Sequence, residues 1–327
     1  MTSLLDTSII QRVKSIFSAR QSSGSPRLLV VGGEQSAAVA HAMGCIAPEA
    51  AVTFKPVVAA VKLYTAERLL SEFDRHDIVF LRSDLPLCRP VGAVAGSHGH
   101  TKVVRVPTIA FAAFHPDQIR VGSDHRSPIV GPMGQLHSAL VLFGFLSGLS
   151  QGAVMKLFQC SAFERVGYFE FWAEAATRLY KVGAEADYDL EASLARWMRR
   201  GCFMHSVNQI KLHVVVDLAR GLLERAGIRY QQCNLEDYLS GDPGKGESWP
   251  VYPEIAAHYG VAGSALFLRP ASGRRTSRST MSLSRFIEES FDAYARLPRT
   301  SLFNNRVMQW QTDVDLRADL CRIAEGS

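Results

Sequence analysis

Short apolar runs alternate with helical segments over the first third of the chain. Residues 28–31 are a continuous apolar run that ends at Gly32 and Gly33, and residues 34–43 then follow with helical spacing. Short apolar runs bounded by turn residues predict buried strands, and strands that alternate with helices predict a largely parallel sheet. Further runs of this kind lie at residues 51–58, 77–81, 103–104 and 108–111.

The hydrophobic pattern changes near residue 130. Most of the segments beyond it have helical length and spacing, without the alternation of strands. They lie at residues 135–149, 162–180, 190–199, 207–226 and 283–297, with one late strand at 265–268. We therefore predict an α/β protein in which a small, mostly parallel sheet in residues 1–130 is joined to a larger, mainly helical part in residues 131–327. The second part carries a basic loop at residues 269–285.

Composition narrows the possible classes of function. The chain of 327 residues is 47% hydrophobic with a net charge of +5, which favours an anionic small molecule over nucleic acid, where denser basic stripes are needed. Six cysteines are scattered without a C-x-x-C pair and are expected to be reduced thiols. Neither a signal peptide nor an apolar run long enough to span a bilayer is recognisable. These features predict a cytoplasmic protein without a transmembrane segment.

The strand–Gly–Gly–helix turn at Gly32 and Gly33 is the first candidate site. Such a turn directs backbone N–H groups and a helix dipole at one point, where an anion or a developing oxyanion is stabilised. The side-chain amide of Gln35 could add a donor. The alternative is a structural βα turn of the kind found in any α/β domain. The glycines form neither a G-x-G-x-x-G fingerprint nor a P-loop, so no dinucleotide or ATP site is predicted.

Two histidines are candidates for a general base. His115 follows an apolar stretch, and the carboxylate of Asp117 could orient its ring. His205 precedes the predicted helix 207–226, for which Ser206 is the predicted N-cap. The alternatives are a His-Pro turn for His115 and ordinary packing between helices for His205. Further polar residues near His205 are Asn208 and Lys211.

The basic loop is a candidate phosphate site. Guanidinium groups bind phosphate bidentately, so the loop suits a phosphorylated cofactor such as a nucleotide or coenzyme A, and its alternative is a solvated surface. The arginines are Arg269, Arg274, Arg275, Arg278 and Arg285. In a separate loop, the pair His98 and His100 lacks a neighbouring cysteine or carboxylate to complete a zinc site, so no metal is predicted.

In this order, the motifs resemble the WcbI family of capsular polysaccharide biosynthesis proteins over roughly residues 27–226. The family pattern has a Gly-Asn-Cys-Gln turn after the first strand, a His-Pro-Asp turn, a Gly-x-x-His-Ser helix start, and Phe-Met-His followed by Asn-His-Pro. The chain departs from it at Gly33 and Glu34, in place of Asn and Cys, and at residues 209–210, in place of His-Pro. It keeps Gly32, Gln35, His115, Pro116, Asp117, His137, Ser138, Phe203, Met204 and His205.

This resemblance implies transfer of an acetyl group from acetyl-coenzyme A to a sugar hydroxyl of a capsular polysaccharide or its precursor. His115 or His205 would be the base, and the backbone after Gly32 and Gly33, with the Gln35 amide, the oxyanion site. The phosphate anchors would be Lys211 and the loop arginines, with Ser206 and Asn208 as further cofactor contacts. Peripheral contact with capsule assembly machinery is also implied.

Because Glu34 occupies the expected cysteine position, direct attack by the sugar is favoured over an acyl-enzyme.

Two other classes of function stay open. One alternative is an esterase-type hydrolase, in which Ser36, Ser138 or Ser206 is the nucleophile. The other is a non-catalytic protein that binds a cofactor or sugar within a capsule assembly complex.

Overall fold

The structure, a computed structural model, describes residues 24–57, 73, 75–85, 101–122, 129–238, 246–269 and 279–326. Several predicted features lie outside these ranges. They are Arg274, Arg275, Arg278, His98 and His100, and most of the loop to which these arginines belong.

A four-stranded parallel sheet lies in the N-terminal part of the chain. Its strands are β1 (Arg27–Gly32), β2 (Ala51–Pro56), β3 (Ile78–Arg82) and β4 (Lys102–Val106). They are arranged in the order β2-β1-β3-β4, and each neighbouring pair is parallel. Residues 28–31 are fully buried, as expected for the continuous apolar run of a central strand in a parallel sheet.

The remaining described chain is mainly helical, which confirms the predicted mixed α/β class. Its helices are α1 (Glu34–Ile46), α2 (Ala139–Leu146), α3 (Gln151–Met155), α4 (Cys160–Arg165), α5 (Phe171–Ala186), α6 (Leu190–Met198), α7 (Leu212–Ala226), α8 (Pro253–Tyr259), α9 (Leu283–Ala295), α10 (Asn305–Thr312) and α11 (Val314–Glu325). Short strands form three further pairs. They are β5 (Gln118–Ile119) with β6 (His137–Ser138), β7 (Met204–Ser206) with β8 (Gln209–Ile210), and β9 (Leu266–Arg269) with β10 (Ser279–Ser282).

Contacts group the described residues into two compact units. Unit 1 takes those among residues 1–109, 179–199 and 210–244, and unit 2 takes those among 110–178, 200–209 and 245–327. In unit 1, α1 and α7 pack against each other, and α7 also contacts β4. In unit 2, α2 packs against α9 and α10.

The helix predicted at residues 207–226 begins later, at Leu212. Its flanking residue is Lys211, so the prediction of Ser206 as N-cap is wrong. The physical reason is that the backbone of Val207 bonds elsewhere. Its carbonyl accepts from Phe111 N at 2.9 Å, and its N–H donates to Gln118 Oε1 at 2.7 Å. These long-range bonds replace those of a first helical turn.

The predicted basic loop at residues 269–285 is shorter than expected. β9 and β10 pair in antiparallel fashion at its two ends, and α9 begins at Leu283. Arg269 and Arg285 both form ion pairs with Glu289. Arg269 of β9 therefore links this strand pair to α9, whereas the pair of Arg285 with Glu289 lies within α9 itself.

Gly32 should not tolerate a side chain. A Cβ on Gly32 would lie 2.0 Å from Ser36 Oγ and 2.5 Å from Ser36 Cβ. Overpacking of this kind costs about 1–3 kcal/mol, so Gly32→Ala should lower the free energy of unfolding by that amount in urea denaturation. Gly44 of α1 is the matched control. It is exposed with open space around it, and Gly44→Ala should stabilise by up to about 1 kcal/mol through helix propensity. Equal stability of Gly32→Ala and wild type would contradict this packing.

Candidate functional site

The carboxyl edge of the parallel sheet carries the predicted turn. β1 ends at Gly32, and Gly33 is the N-cap of α1, a residue without a side chain to cap the helix. Since β2 and β3 lie on opposite sides of β1, the strand order reverses here. Open parallel sheets form their ligand crevices at such a switch point. The N–H groups of the first turn of α1 are directed to this edge, where Glu34 is exposed.

Arg82, the last residue of β3, lies next to the turn. A Cβ on Gly33 would lie 3.1 Å from Arg82 Nη1, so the glycine leaves room for the guanidinium. Arg82 also pairs with Asp84 and keeps 28% of its side-chain surface exposed. A guanidinium beside a helix N-terminus favours an anion. Sequence analysis missed Arg82, although it stands directly after the predicted strand 77–81.

The side chain of Gln35 supports the turn. Its Nε2 donates to Ile109 O at 2.6 Å, and Ile109 N donates to its Oε1 at 2.9 Å. The side-chain amide of Gln35 thus pairs with the backbone N–H and C=O of Ile109, as the backbone of a neighbouring strand would. The predicted oxyanion donor is directed at Ile109, which leaves the backbone N–H groups of the turn for that role.

In unit 2, both predicted bases contact one short segment, Ser248 and Trp249. His115 Nε2 lies 3.3 Å from Trp249 O, and Trp249 N donates to His205 O at 2.8 Å. Ser248 Oγ lies 3.5 Å from His205 Nδ1. Both histidines are buried, at 3% and 6% exposure, while Ser248 is half-buried. The structure therefore brings the two histidines to a segment that sequence analysis did not single out.

The polar residues after His205 have different surroundings. Ser206 is buried and donates to Asn208 Oδ1 at 3.2 Å, and Asn208 itself is exposed. Lys211 is half-buried and precedes α7. Asn208 and Lys211 are therefore at least partly exposed, whereas Ser206 is buried and bonded to Asn208.

Asp117 is a buried carboxylate with a structural set of partners. Its Oδ1 accepts from Tyr168 OH at 2.7 Å and Leu140 N at 3.0 Å, and its Oδ2 accepts from Tyr252 OH at 3.0 Å. Burial, and then the carboxylate charge, raise the pKa of Tyr168 and Tyr252 well above the usual value. These phenols therefore remain donors. Asp117 is thus held by two phenols and a helix amide, whereas the ring of His115 is held by the carbonyl of Trp249.

His137 and Ser138 have separate structural roles. His137 Nε2 donates to Ile129 O at 3.0 Å, and Nδ1 lies 3.0 Å from Tyr294 OH. Ser138 Oγ caps α2 by accepting from Val141 N at 3.1 Å. Burial lowers the pKa of His137, although the bond to Ile129 opposes this. The pair therefore shows no nucleophile–base contact.

Within the described ranges, no three His, Cys, Asp or Glu side chains are grouped so that they could hold a metal ion. In the same ranges, no helix has both the length and the apolar character needed to cross a membrane.

Comparisons with known proteins identify the family that the motifs indicated. The family model described as "Polysaccharide biosynthesis enzyme WcbI" matches residues 27–231, more than half of the chain. A solved WcbI structure is similar with a TM-score of 0.62 and 14% identity, over 91% of this chain and 99% of that chain. It is described as a novel polysaccharide biosynthesis enzyme, in native form without a disulfide bond between coenzyme A and a cysteine. No curated protein matches the sequence.

The stability of the protein should depend on the protonation of His137. Its pKa is lowered in the folded state, so the unfolded chain binds more protons near and below pH ~6.5. The contribution of the neutral ring is full above that pH and is lost as the pH falls toward the folded pKa. His137→Gln should therefore flatten the decline in unfolding free energy between about pH 8 and pH 5, measured in urea. The same change at exposed His258 is the control and should leave the decline intact.

Proposed function

The chain belongs to the WcbI family of polysaccharide biosynthesis enzymes, and we propose that it transfers an acetyl group from acetyl-coenzyme A to a sugar hydroxyl. The acceptor is a capsular polysaccharide or its precursor, and contact with capsule assembly machinery is part of the proposal. The observation that carries it is the approach of Arg82 to the N-terminus of α1 at the sheet edge, an arrangement that favours an anion. The related WcbI structure, which was described with reference to coenzyme A, supports the choice of anion.

The donors at the sheet edge fit the phosphates of coenzyme A. This substrate carries a pyrophosphate and a 3′-phosphate, and guanidinium groups with free helix N–H groups are preferred phosphate donors. Arg82 and the first turn of α1 supply both kinds in unit 1. The further anchors of this proposal in unit 1 are Gly32, Gly33 and Lys211, and the loop arginines Arg274, Arg275 and Arg278 lie outside the described residues.

The negative carboxylate of Glu34 opposes the binding of an anion at the same turn. It lies in the first turn of α1, where its carboxylate already complements the helix dipole. A phosphate at this turn must compete with that carboxylate. Glu34 also has no thiol, so a disulfide with coenzyme A cannot form at this position. We therefore propose that this turn binds the cofactor through charge alone.

His205 is the preferred base of the two candidates. The Nε2 of His115 donates to the carbonyl of Trp249, which leaves Nδ1 as its basic nitrogen, and that atom is buried away from solvent. The Nδ1 of His205 instead faces a half-buried hydroxyl. The base must come within hydrogen-bond reach of the sugar hydroxyl, and the half-buried position beside His205 Nδ1 allows such a group to approach. We propose that His205 takes this proton and that His115 and Asp117 support the surrounding backbone.

The described contacts argue against the serines named for a hydrolase, and an experiment separates a non-catalytic binder from the enzyme. The serines named for a hydrolase are engaged, since Ser138 caps α2, Ser206 bonds Asn208, and Ser36 is buried against Gly32. A non-catalytic binder would retain coenzyme A affinity without acetyl transfer. Measuring binding and transfer on the same preparation separates it from the enzyme.

Coenzyme A binding should respond to Arg82 and Glu34 in opposite directions. Wild type should show a higher Tm with millimolar coenzyme A, because the ligand binds the folded state. Loss of one charge-assisted contact costs about 1.5–3 kcal/mol, so Arg82→Ala should raise the Kd by about tenfold or more in calorimetry. Glu34→Gln should lower the Kd by about two- to fivefold, the scale of a charge at a helix terminus.

Arg105 provides the matched control for Arg82. It lies exposed on β4 in the same sheet, and Arg105→Ala should leave the Kd unchanged. If the Tm of wild type does not move with coenzyme A, the transferase proposal fails. If Arg82→Ala and Arg105→Ala bind equally, the phosphates are held elsewhere.

Substitution of His205 and of His115 should affect catalysis differently. Loss of a general base typically slows turnover by about 10²–10⁴, so His205→Gln should lower kcat on this scale with little change in the Kd for coenzyme A. His115→Gln should act mainly through stability, because that ring is bonded to a buried carbonyl. Acetyl transfer, coenzyme A affinity and Tm are measured for both variants. Full turnover by His205→Gln would show that the assignment of the base is wrong.

A further inference from the structure

We propose that Ser248 is a catalytic nucleophile that His205 activates, and that it carries the acetyl group between the two substrates. This inference rests on the proposed function. Ser248 Oγ lies 3.5 Å from His205 Nδ1, in the same compact unit. Nucleophile–base contacts are commonly this loose in the absence of substrate and tighten when it binds.

The backbone holds Ser248 against His205 from two sides. Ser248 N donates to Leu268 O at 2.9 Å, and Leu268 N donates to Ser248 O at 2.9 Å. The next residue, Trp249, donates its backbone N–H to His205 O at 2.8 Å. The backbones that carry the hydroxyl and the imidazole are thus held next to one another by main-chain bonds. Such pre-organisation is what a catalytic pair requires.

The indole of Trp249 anchors this arrangement in the core. Its ring lies 5.1 Å from that of Phe267 and 5.2 Å from that of Phe286, both in edge-on geometry, and Trp249 is 4% exposed. Aromatic contacts of this kind add to the stabilisation from burial. The segment that presents Ser248 is therefore a rigid part of unit 2.

Comparison with a second hydroxyl–imidazole pair shows why accessibility favours Ser248. Tyr294 and His137 are also in contact, but they are 0% and 1% exposed, and burial raises the pKa of the phenol far above its usual value. That hydroxyl neither meets a substrate nor ionises readily. Ser248 is half-buried, so this pair is less enclosed than that of Tyr294 and His137, while its base is only 6% exposed. A shielded base beside an accessible nucleophile is the arrangement that acyl transfer uses.

The two half-reactions balance through His205. In the first, Ser248 Oγ bonds to the thioester carbonyl carbon as its proton passes to His205 Nδ1. The C–S bond then breaks, and the coenzyme A thiolate takes that proton to become the thiol. In the second, the sugar oxygen bonds to the acyl carbon as its proton passes to the imidazole. The C–Oγ bond breaks, and Ser248 Oγ takes the proton back.

Two probes test the nucleophile. Wild-type protein is incubated with acetyl-coenzyme A without acceptor, and intact-mass measurement with peptide mapping locates any acetyl group. In parallel, a fluorophosphonate reports serine nucleophilicity without any requirement for coenzyme A. We expect one acetyl group and one fluorophosphonate label on the peptide that contains Ser248. His205→Gln should slow labelling by about 100-fold or more, the scale for loss of a base.

Variants of Ser248 keep the test independent of folding. Ser248→Ala should lose both modifications and acetyl transfer while its Tm stays near that of wild type. Ser248→Cys should retain acylation as a thioester that neutral hydroxylamine cleaves, which a merely structural serine would not produce. Ser264 lies on the same stretch of chain, where its hydroxyl accepts from Leu266 N, and Ser264→Ala should label and turn over like wild type.

The outcomes separate this inference from the proposed function. If wild type transfers acetyl but Ser248 is never modified and Ser248→Ala keeps turnover, the inference is wrong and the transferase stands. If the fluorophosphonate labels Ser248 but coenzyme A neither binds nor reacts, the nucleophile is supported and the transferase falls. If neither probe modifies Ser248 in a protein that binds coenzyme A, the inference is overturned.

Discussion

A buried carboxylate must accept hydrogen bonds, and the groups that donate to Asp117 bring together separate segments of unit 2. The carboxylate is 1% exposed, and its described donors come from Tyr168, Leu140 and Tyr252. Removing one donor would leave a buried charge incompletely satisfied, which costs several kcal/mol. Asp117 is two residues from His115, and Tyr252 is four residues from Ser248. The bond between Asp117 and Tyr252 therefore links the segment that carries His115 to the segment that carries Ser248.

Unit 1 is governed by close approach and by charge. Gly32 has no room for a side chain because Ser36 packs against it, and the amide of Gln35 ties the same turn to Ile109. These contacts hold the first turn of α1 at the switch point of the sheet. Arg82 and Glu34 then set the potential there with opposite signs. The affinity of this turn for an anion is a balance between the two residues and the helix dipole.

The parts of the fold that depend on local pattern were predictable, whereas the site residues that depend on long-range pairing were missed. The apolar run at residues 28–31 and the turn after it identified β1 and α1, because strand burial and turn formation depend on residues that are adjacent in the sequence. Arg82 reaches Gly33 only through the pairing of β1 with β3, and Ser248 reaches His205 across 43 residues. Asp117 was expected to serve a neighbouring ring, but its partner Tyr252 lies 135 residues away.

Replacement of the family's cysteine by Glu34 changes what covalent chemistry this chain can use. A carboxylate at the turn binds or repels charge, whereas a thiol can also bond to sulfur or carry an acyl group. An oxygen nucleophile such as Ser248 would take the acetyl group from a thioester in a downhill step, since oxygen esters are the more stable. Onward transfer to a sugar then exchanges one oxygen ester for another and gains little. The second step must therefore be driven by orientation and by a base that takes the sugar proton, and the Nδ1 of His205 would have to act in both steps.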